Sequence, residues 1–432
     1  MDSVMKTASE YWVLLQQWWF SQARRDLVTF RNPLEIWQEN PSILVCELIF
    51  VLWAFVTLRH ALHYRGRYLW LWIAAVLHGL VTESVSYFIP NVDNFWHFQT
   101  TVMFLKQRLP IYILCYYPAI YYTEIVCISR LKLSPLVEPF LIGLVDVMID
   151  FPYDVMGIKM MWWTWHESDP NIYDRTYFVP WTSYLFHMSF VSSFVILHHL
   201  TRYLLTGNHR LDYVSRSTFV EIVCIILTSV FAFPMAVATN FIPVYHILHD
   251  LYNVHTEVVV LIVFGTYAMI SWSGTRLKET EPKQTAKGRS RRSLFDSLSM
   301  MLLIHYMFYM VLVWMASPEL LRATGLHQSV THNCTHMRQE SIQTAIGIEL
   351  YRNASLCSSH HRETYFDLNC PPNPIFNQNL PPEGVSWYTI CGTPYPNKVE
   401  YIAVVTGFCL LGLSVFYQLL SSAPPLLRKT KK

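Results

Sequence analysis

Apolar runs long enough to cross a bilayer recur along this chain, and few folds can accommodate them. A transmembrane helix needs roughly 17–25 mostly apolar residues. Such runs stand at about 42–58, 68–89, 108–128, 133–156, 178–205, 217–243, 254–272, 296–316 and 400–420. Lipid offers the backbone no hydrogen-bond partners, so each run must satisfy its own amides as a helix. The expected fold is therefore all-α, a polytopic transmembrane helix bundle of about nine spans. Composition agrees: the chain is 14% charged and 53% hydrophobic, against about 25% charged residues in a soluble domain. A net charge of +2 gives no basis for a nucleic-acid partner.

The polar segments divide the chain. Residues 1–40 carry "EYWVLLQQWWF", an aromatic amphipathic stretch too short to span and suited to an interfacial helix. Residues 41–272 form a seven-span bundle. A basic segment, 273–293, reads as a cytosolic linker, and 294–432 hold two further spans around a cysteine-rich loop, 317–398. Lys and Arg concentrate in the loops after spans 1, 3, 5 and 7 and in the tail "RKTKK". The positive-inside rule then makes the C-terminus cytosolic and the N-terminus lumenal. The loop 317–398 carries both permitted sequons, at Asn333 and Asn353, and four of the nine cysteines: Cys334, Cys357, Cys370 and Cys391. Sequons and an even cysteine count in one polar loop point to glycans and two disulfides in an oxidising lumen, with three possible connectivities. Endoplasmic reticulum, lysosome and plasma membrane all remain open.

Ionisable residues inside spans are costly and mark function by default. Span 2 holds His78, Glu83 and Tyr87, and span 3 opens at Arg108. Span 4, "DVMIDFPYDVMGIKMMWWTWHESDP", holds Asp146, Asp150 and Asp154, then Trp162, Trp163, Trp165 and His166. Residues i, i+4 and i+8 drift by about 40° per step on a helix, so the three aspartates share one face. Pro152 removes a backbone donor between them. The expectation is a broken helix against an enclosed cavity, since such a break is not tolerated against lipid. The bland alternatives are an interfacial belt for the tryptophans and a buried salt bridge from the aspartates to Arg108. Glu47, Glu124 and Glu138 read as polar packing groups.

The run "LIGLVDVMIDFPYDVMGIKMMWWTWH", followed by "YFVPWTSYLFHMSF", resembles the signature of the carotenoid 1,2-hydratase (bisanhydrobacterioruberin hydratase) family of membrane proteins. Asp146, Asp150, Pro152, Gly157, Trp163, Trp165 and Pro180 stand in matching places. The resemblance covers about residues 70–195, and Phe151, between Asp150 and Pro152, departs from it. It implies protonation of an alkene to a tertiary cation followed by addition of water, with no cofactor. A buried carboxyl would supply the proton and aromatic faces would steady the cation. Asp146, Asp150 and Glu83 are then the expected catalytic groups. Tyr87, Arg108, Trp163, Trp165 and His166 are the expected contacts to a membrane lipid or apolar isoprenoid-like ligand.

Two other classes use the same residues. A lumenal metal-dependent lipid hydrolase would draw ligands from "YHILHDLYNVHTE", read as a loop with His246, His249, Asp250 and His255. A proton-coupled transporter or lipid-binding protein would use the span carboxylates without bond chemistry. The topology has its own test. Glycosidase treatment of the expressed protein should raise its gel mobility, with no free thiols among the four loop cysteines; an unshifted band with four alkylatable thiols would invert the orientation.

Overall fold

A computed structural model describes residues 27–215, 217–279, 296–370, 383–384 and 387–422. Most of the expected interfacial segment, most of the basic linker (280–293) and the tail lie outside these residues. After a short helix, α1 (Pro33–Glu39), come α2 (Pro41–Tyr64), α3 (Arg67–Phe88), α4 (Ile111–Ser129), α5 (Glu138–Lys159) and α6 (Trp181–Thr206). Then follow α7 (Thr218–Ala236), α8 (Thr256–Glu279), α9 (Ser297–Met315) and α10 (Lys398–Ser422). Each apolar run of the sequence lies on one of the long helices α2 to α10. Seven segments are long and apolar enough to cross a membrane, and the chain is an integral membrane protein. The two helices outside that set are α5 and α6. The three aspartates dilute the first, and hydroxyl and imidazole side chains dilute the second.

Two expected boundaries move. The helix after α7 continues with wider, π-helical turns over Val237–Leu251, so His246, His249 and Asp250 stand on a helix end and not in a loop. Helix α8 runs to Glu279, so the first residues of the 273–293 segment are helical.

The fold is also less purely helical than its apolar pattern implies. At one end of the bundle the loops after α3, α5 and α9 join in a cap of short strands. Phe95–His97 pairs antiparallel with Trp163–Trp165. In the long loop, Trp387–Gly392 is flanked by Phe366–Asp367 and Arg322–Leu326. Phe98 bridges to Gly325, where a Cβ would lie 2.6 Å from the His97 carbonyl, so only glycine admits this approach. Disulfides Cys334–Cys357 and Cys370–Cys391 close the loop on itself, choosing one of the three connectivities. Both sequons lie in this cap. Asn333 is exposed, whereas Asn353 is half-buried in the strand Glu349–Asn353.

Arg352 ties the three loops of the cap together. It is buried, and its guanidinium bonds Asp169 at 2.8 Å, Glu340 at 2.6 Å and the carbonyls of Pro90 and Asp93. At the other end, Arg67 and Arg202 share Glu221 at 2.7 and 3.0 Å, and all three side chains are buried. The basic loops thus gather opposite the cap, as alternating spans require.

Three buried imidazoles make the cap sensitive to acid. Burial lowers His97, His166 and His327 to about 3, helped at His97 by the Arg108 charge and at His166 by that of Arg352. Their unfolded value is about 6.5, so the unfolded cap binds more protons than the folded one. Their contribution is complete above about pH 6.5 and declines as pH falls, by up to about 1.4 kcal/mol per histidine per pH unit. Glu167 and Glu363 are raised by burial and act in the opposite sense, two groups against three imidazoles. The melting temperature in detergent should therefore fall steadily from pH 7 to pH 5. A flat profile would count against imidazoles that dominate the acid response of the fold.

Candidate functional site

Helix α5 carries the site because almost all of it is buried. Asp146 and Asp150 are wholly inaccessible and Asp154 is 3% exposed. They share one face, as their spacing predicts. What meets them is His187 of α6, a residue that sequence reasoning passed over. Its Nδ1 lies 3.4 Å from Asp146 Oδ2 and its Nε2 3.3 Å from Asp150 Oδ2. The Tyr116 hydroxyl of α4 donates to Asp150 Oδ1 at 3.0 Å and lies 3.2 Å from His187 Nδ1. Ser183 donates to Asp154 Oδ2 at 2.7 Å. Glu124, buried on α4 and read from sequence as a packing group, faces Asp146. Arg108 is not the partner: it pairs with Asp93 and stacks over Tyr87, its Cζ 4.8 Å from the ring centroid.

The helix is not broken at Pro152. Proline leaves the carbonyl four residues earlier without its usual donor, and α9 supplies a replacement. The Tyr306 hydroxyl donates to the Met148 carbonyl at 3.2 Å, and His305 Nε2 lies 2.9 Å from that of Ile149. The aspartate face therefore keeps helical geometry where a break was expected.

The other expected residues split into two groups. Glu83 accepts from the Tyr117 hydroxyl at 2.7 Å and lines a narrow cleft with Ser86, Tyr87, Phe95, Leu105 and Arg108. Leu105, Lys106 and Gln107 beside it all take left-handed backbone, φ 50°, 54° and 67°, a strain that clusters at functional sites. Glu83 shares no hydrogen bond with the aspartates, but the adjacent tyrosines 116 and 117 connect one to each. Trp162 and Trp163 are buried rather than belt-like. Trp162 Nε1 donates to Ser42 at 3.0 Å, and Trp163 packs 5.0 Å from Tyr153. A Cβ at Gly157 would fall 2.3 Å from Trp163, so glycine is required there. Trp165 and His166 sit in the cap, with Ser168 N bonding His166 Nδ1 at 3.2 Å.

His246, His249, Asp250 and His255 do come together, as a chain of pairs. Asp250 bonds His246 and His249 at 2.6 Å each, and Asp174 sits 3.2 Å from His255 and 3.7 Å from His249. This group does not join the aspartates of α5. His187 stood in a quoted stretch, but a single histidine in an apolar run carries no periodic signal. The buried carboxylates, which needed a partner on a neighbouring helix, were the only pointer to it.

A family model described as a domain of unknown function (DUF7802) matches residues 19–421. No curated protein and no solved structure matches the chain.

The proline bypass is testable through its donor. Tyr306→Phe should cost about 1–3 kcal/mol, the penalty of a buried carbonyl left unpaired, read as a lower melting temperature. In a Pro152→Ala background the restored amide serves Met148, so the same change should cost much less. Equal losses in both backgrounds would refute the bypass.

Proposed function

Since a match over that length makes the chain a member of the DUF7802 family, we propose a function from its buried centre: acid–base chemistry on an apolar, unsaturated lipid or isoprenoid inside the membrane, in the manner of the hydratases it resembles. The observation that carries this reading is His187 bridging Asp146 and Asp150, with Tyr116 touching both Asp150 and His187. Carboxyls and an imidazole in mutual contact can hold and pass a proton without solvent, as general acid–base catalysis requires. Glu83, at the cleft and bonded to Tyr117, is the carboxyl placed to meet a ligand. The proton would go from a carboxyl to one alkene carbon; water would then bond the resulting cation and return a proton to the carboxylate. The cap, with its disulfides and sequons, faces the lumen of the secretory pathway in this reading, and α5 and α6 cross the membrane with the other seven spans.

A second reading, proton-coupled transport, is favoured by the sealing of the acids. Glu124, Asp146 and Asp150 are fully buried and can exchange protons without touching an organic substrate.

Mass spectrometry of copurifying lipid should find an unsaturated apolar species, and turnover in heavy water should place deuterium on carbon. Asp150→Asn should lower that rate by about 10²–10⁴-fold, with expression and glycosylation unchanged. Deuterium incorporation at the wild-type rate in Asp146→Asn, Asp150→Asn and Glu83→Gln would sink the catalytic reading. Dissipation of a pH gradient in proteoliposomes, lost in the same variants, would favour transport instead.

A further inference from the structure

We propose that Asp150, Asp154 and His187 form a binding site for a first-row divalent cation such as zinc. One carboxylate oxygen from each aspartate and one ring nitrogen of His187 lie within 4.8 Å of one another. The aspartates are i and i+4 on α5, so both reach the same side of the helix, and the imidazole faces them from α6. Tetrahedral coordination with bonds of about 2.0–2.2 Å sets ligand atoms roughly 3.3 Å apart, so small side-chain rotations close the set.

The surroundings have the organisation of an outer coordination shell. Metal-bound histidines commonly hold a carboxylate on the ring nitrogen away from the metal, and metal-bound carboxylates are themselves hydrogen-bonded. Here Asp146 stands at His187 Nδ1, leaving Nε2 toward Asp150. Tyr116 donates to Asp150 Oδ1 and Ser183 to Asp154 Oδ2, which frees one oxygen on each for a cation. The two imidazole–carboxylate separations, 3.4 and 3.3 Å, are longer than the roughly 2.7–2.9 Å of charge-assisted hydrogen bonds, which leaves room for an ion to draw the ligands together. Asp150 Oδ2 is buried with no hydrogen-bond partner, as is the hydroxyl of Tyr184, which is 2% exposed beside Asp150 and Asp154.

Charge points the same way. Three carboxyls face one imidazole, a fourth, Glu124, faces Asp146, and among the described residues no lysine or arginine pairs with any of them. Buried anions without compensation are strongly unfavourable, so the acids either hold protons or take up a divalent ion, which supplies the missing positive charge. One imidazole with two carboxylates suits zinc or manganese better than calcium, which takes six to eight oxygens. The inference rests on the centre proposed above: with an ion bound, Asp150, Asp154 and His187 would be its ligands, Asp146 a positioning residue, and the ion would supply Lewis acidity at the centre.

Full-length protein in detergent, stripped with a chelator, reloaded with zinc chloride and desalted, should hold about one ion per chain by elemental mass spectrometry. The cobalt-loaded form should show visible absorption of a four-coordinate site. Asp154→Asn and His187→Gln should each reduce retained zinc at least tenfold, and Asp146→Asn should weaken affinity by about 10–100-fold. Wild-type protein that holds under about a tenth of an ion and gives no cobalt band overturns the proposal, whether or not the variants fold. So does full zinc retention in folded Asp154→Asn/His187→Gln protein, which would put the ion elsewhere. Deuterium incorporation or proton flux that depends on Asp150 in metal-free protein removes the ion while keeping the acid–base centre. A loaded site with neither activity affected by Asp150→Asn removes the function and keeps the ion.

Discussion

The structure depends on burying a helix that carries three carboxylates. Apolar packing alone cannot enclose such a helix, because removing charge from water costs far more than a few methyl contacts return. The chain meets this constraint locally. His187 stands between Asp146 and Asp150, Tyr116 and Ser183 take the outer oxygens of Asp150 and Asp154, and α9 covers the backbone that Pro152 leaves open. Three neighbours of α5 are thereby held in register by polar contacts: α4 through Tyr116, α6 through His187 and Ser183, and α9 through His305 and Tyr306. Dispersion and lipid exclusion would allow helices to slide or rotate; these directional contacts do not.

Much of this was legible in the sequence because bilayer physics leaves little freedom. Run length located each long helix, the basic loops predicted which ends would lie together, and the cysteines in one loop paired as two bridges. The face shared by Asp146, Asp150 and Asp154 follows from helical geometry alone. What escaped depends on contacts between helices. His187 and Tyr116 are single polar residues in apolar runs, and nothing in their own windows separates them from ordinary packing groups. The alternative of a salt bridge from the aspartates to Arg108 fails because Asp93, fifteen residues away, is its partner. Pro152 signals a break to any local rule, and only Tyr306, far along the chain, cancels it.

The strands of the cap were invisible for a related reason. They are short, and each pairs across loops from distant parts of the chain, so no alternating pattern accumulates. Phe95–His97 finds Trp163–Trp165, and Phe98 meets Gly325. The pairing ties the loops after α3, α5 and α9 into one body, and Arg352 extends it to Asp169 and the carbonyls of Pro90 and Asp93. The three loops of the cap are therefore held together by buried charge as well as by strand pairing.

That coupling bears on the centre through the last turns of α5. Gly157 lets Trp163 lie against the helix just after Asp154, and Trp163 begins the strand that pairs with Phe95–His97. The same loop leads to Leu105–Gln107 and Arg108, which border the cleft holding Glu83. A displacement of the cap strands would thus act on the cleft through Arg108 and on the aspartate face through Trp163. Neither route needs a hinge within the bundle. The left-handed turn at Leu105–Gln107 lies on the first of these routes, held by the Gln99 side-chain amide, which donates to the Gln107 carbonyl at 2.8 Å. The cap strands thus border the Glu83 cleft and abut the end of the aspartate helix, while the aspartates themselves meet the neighbours of α5.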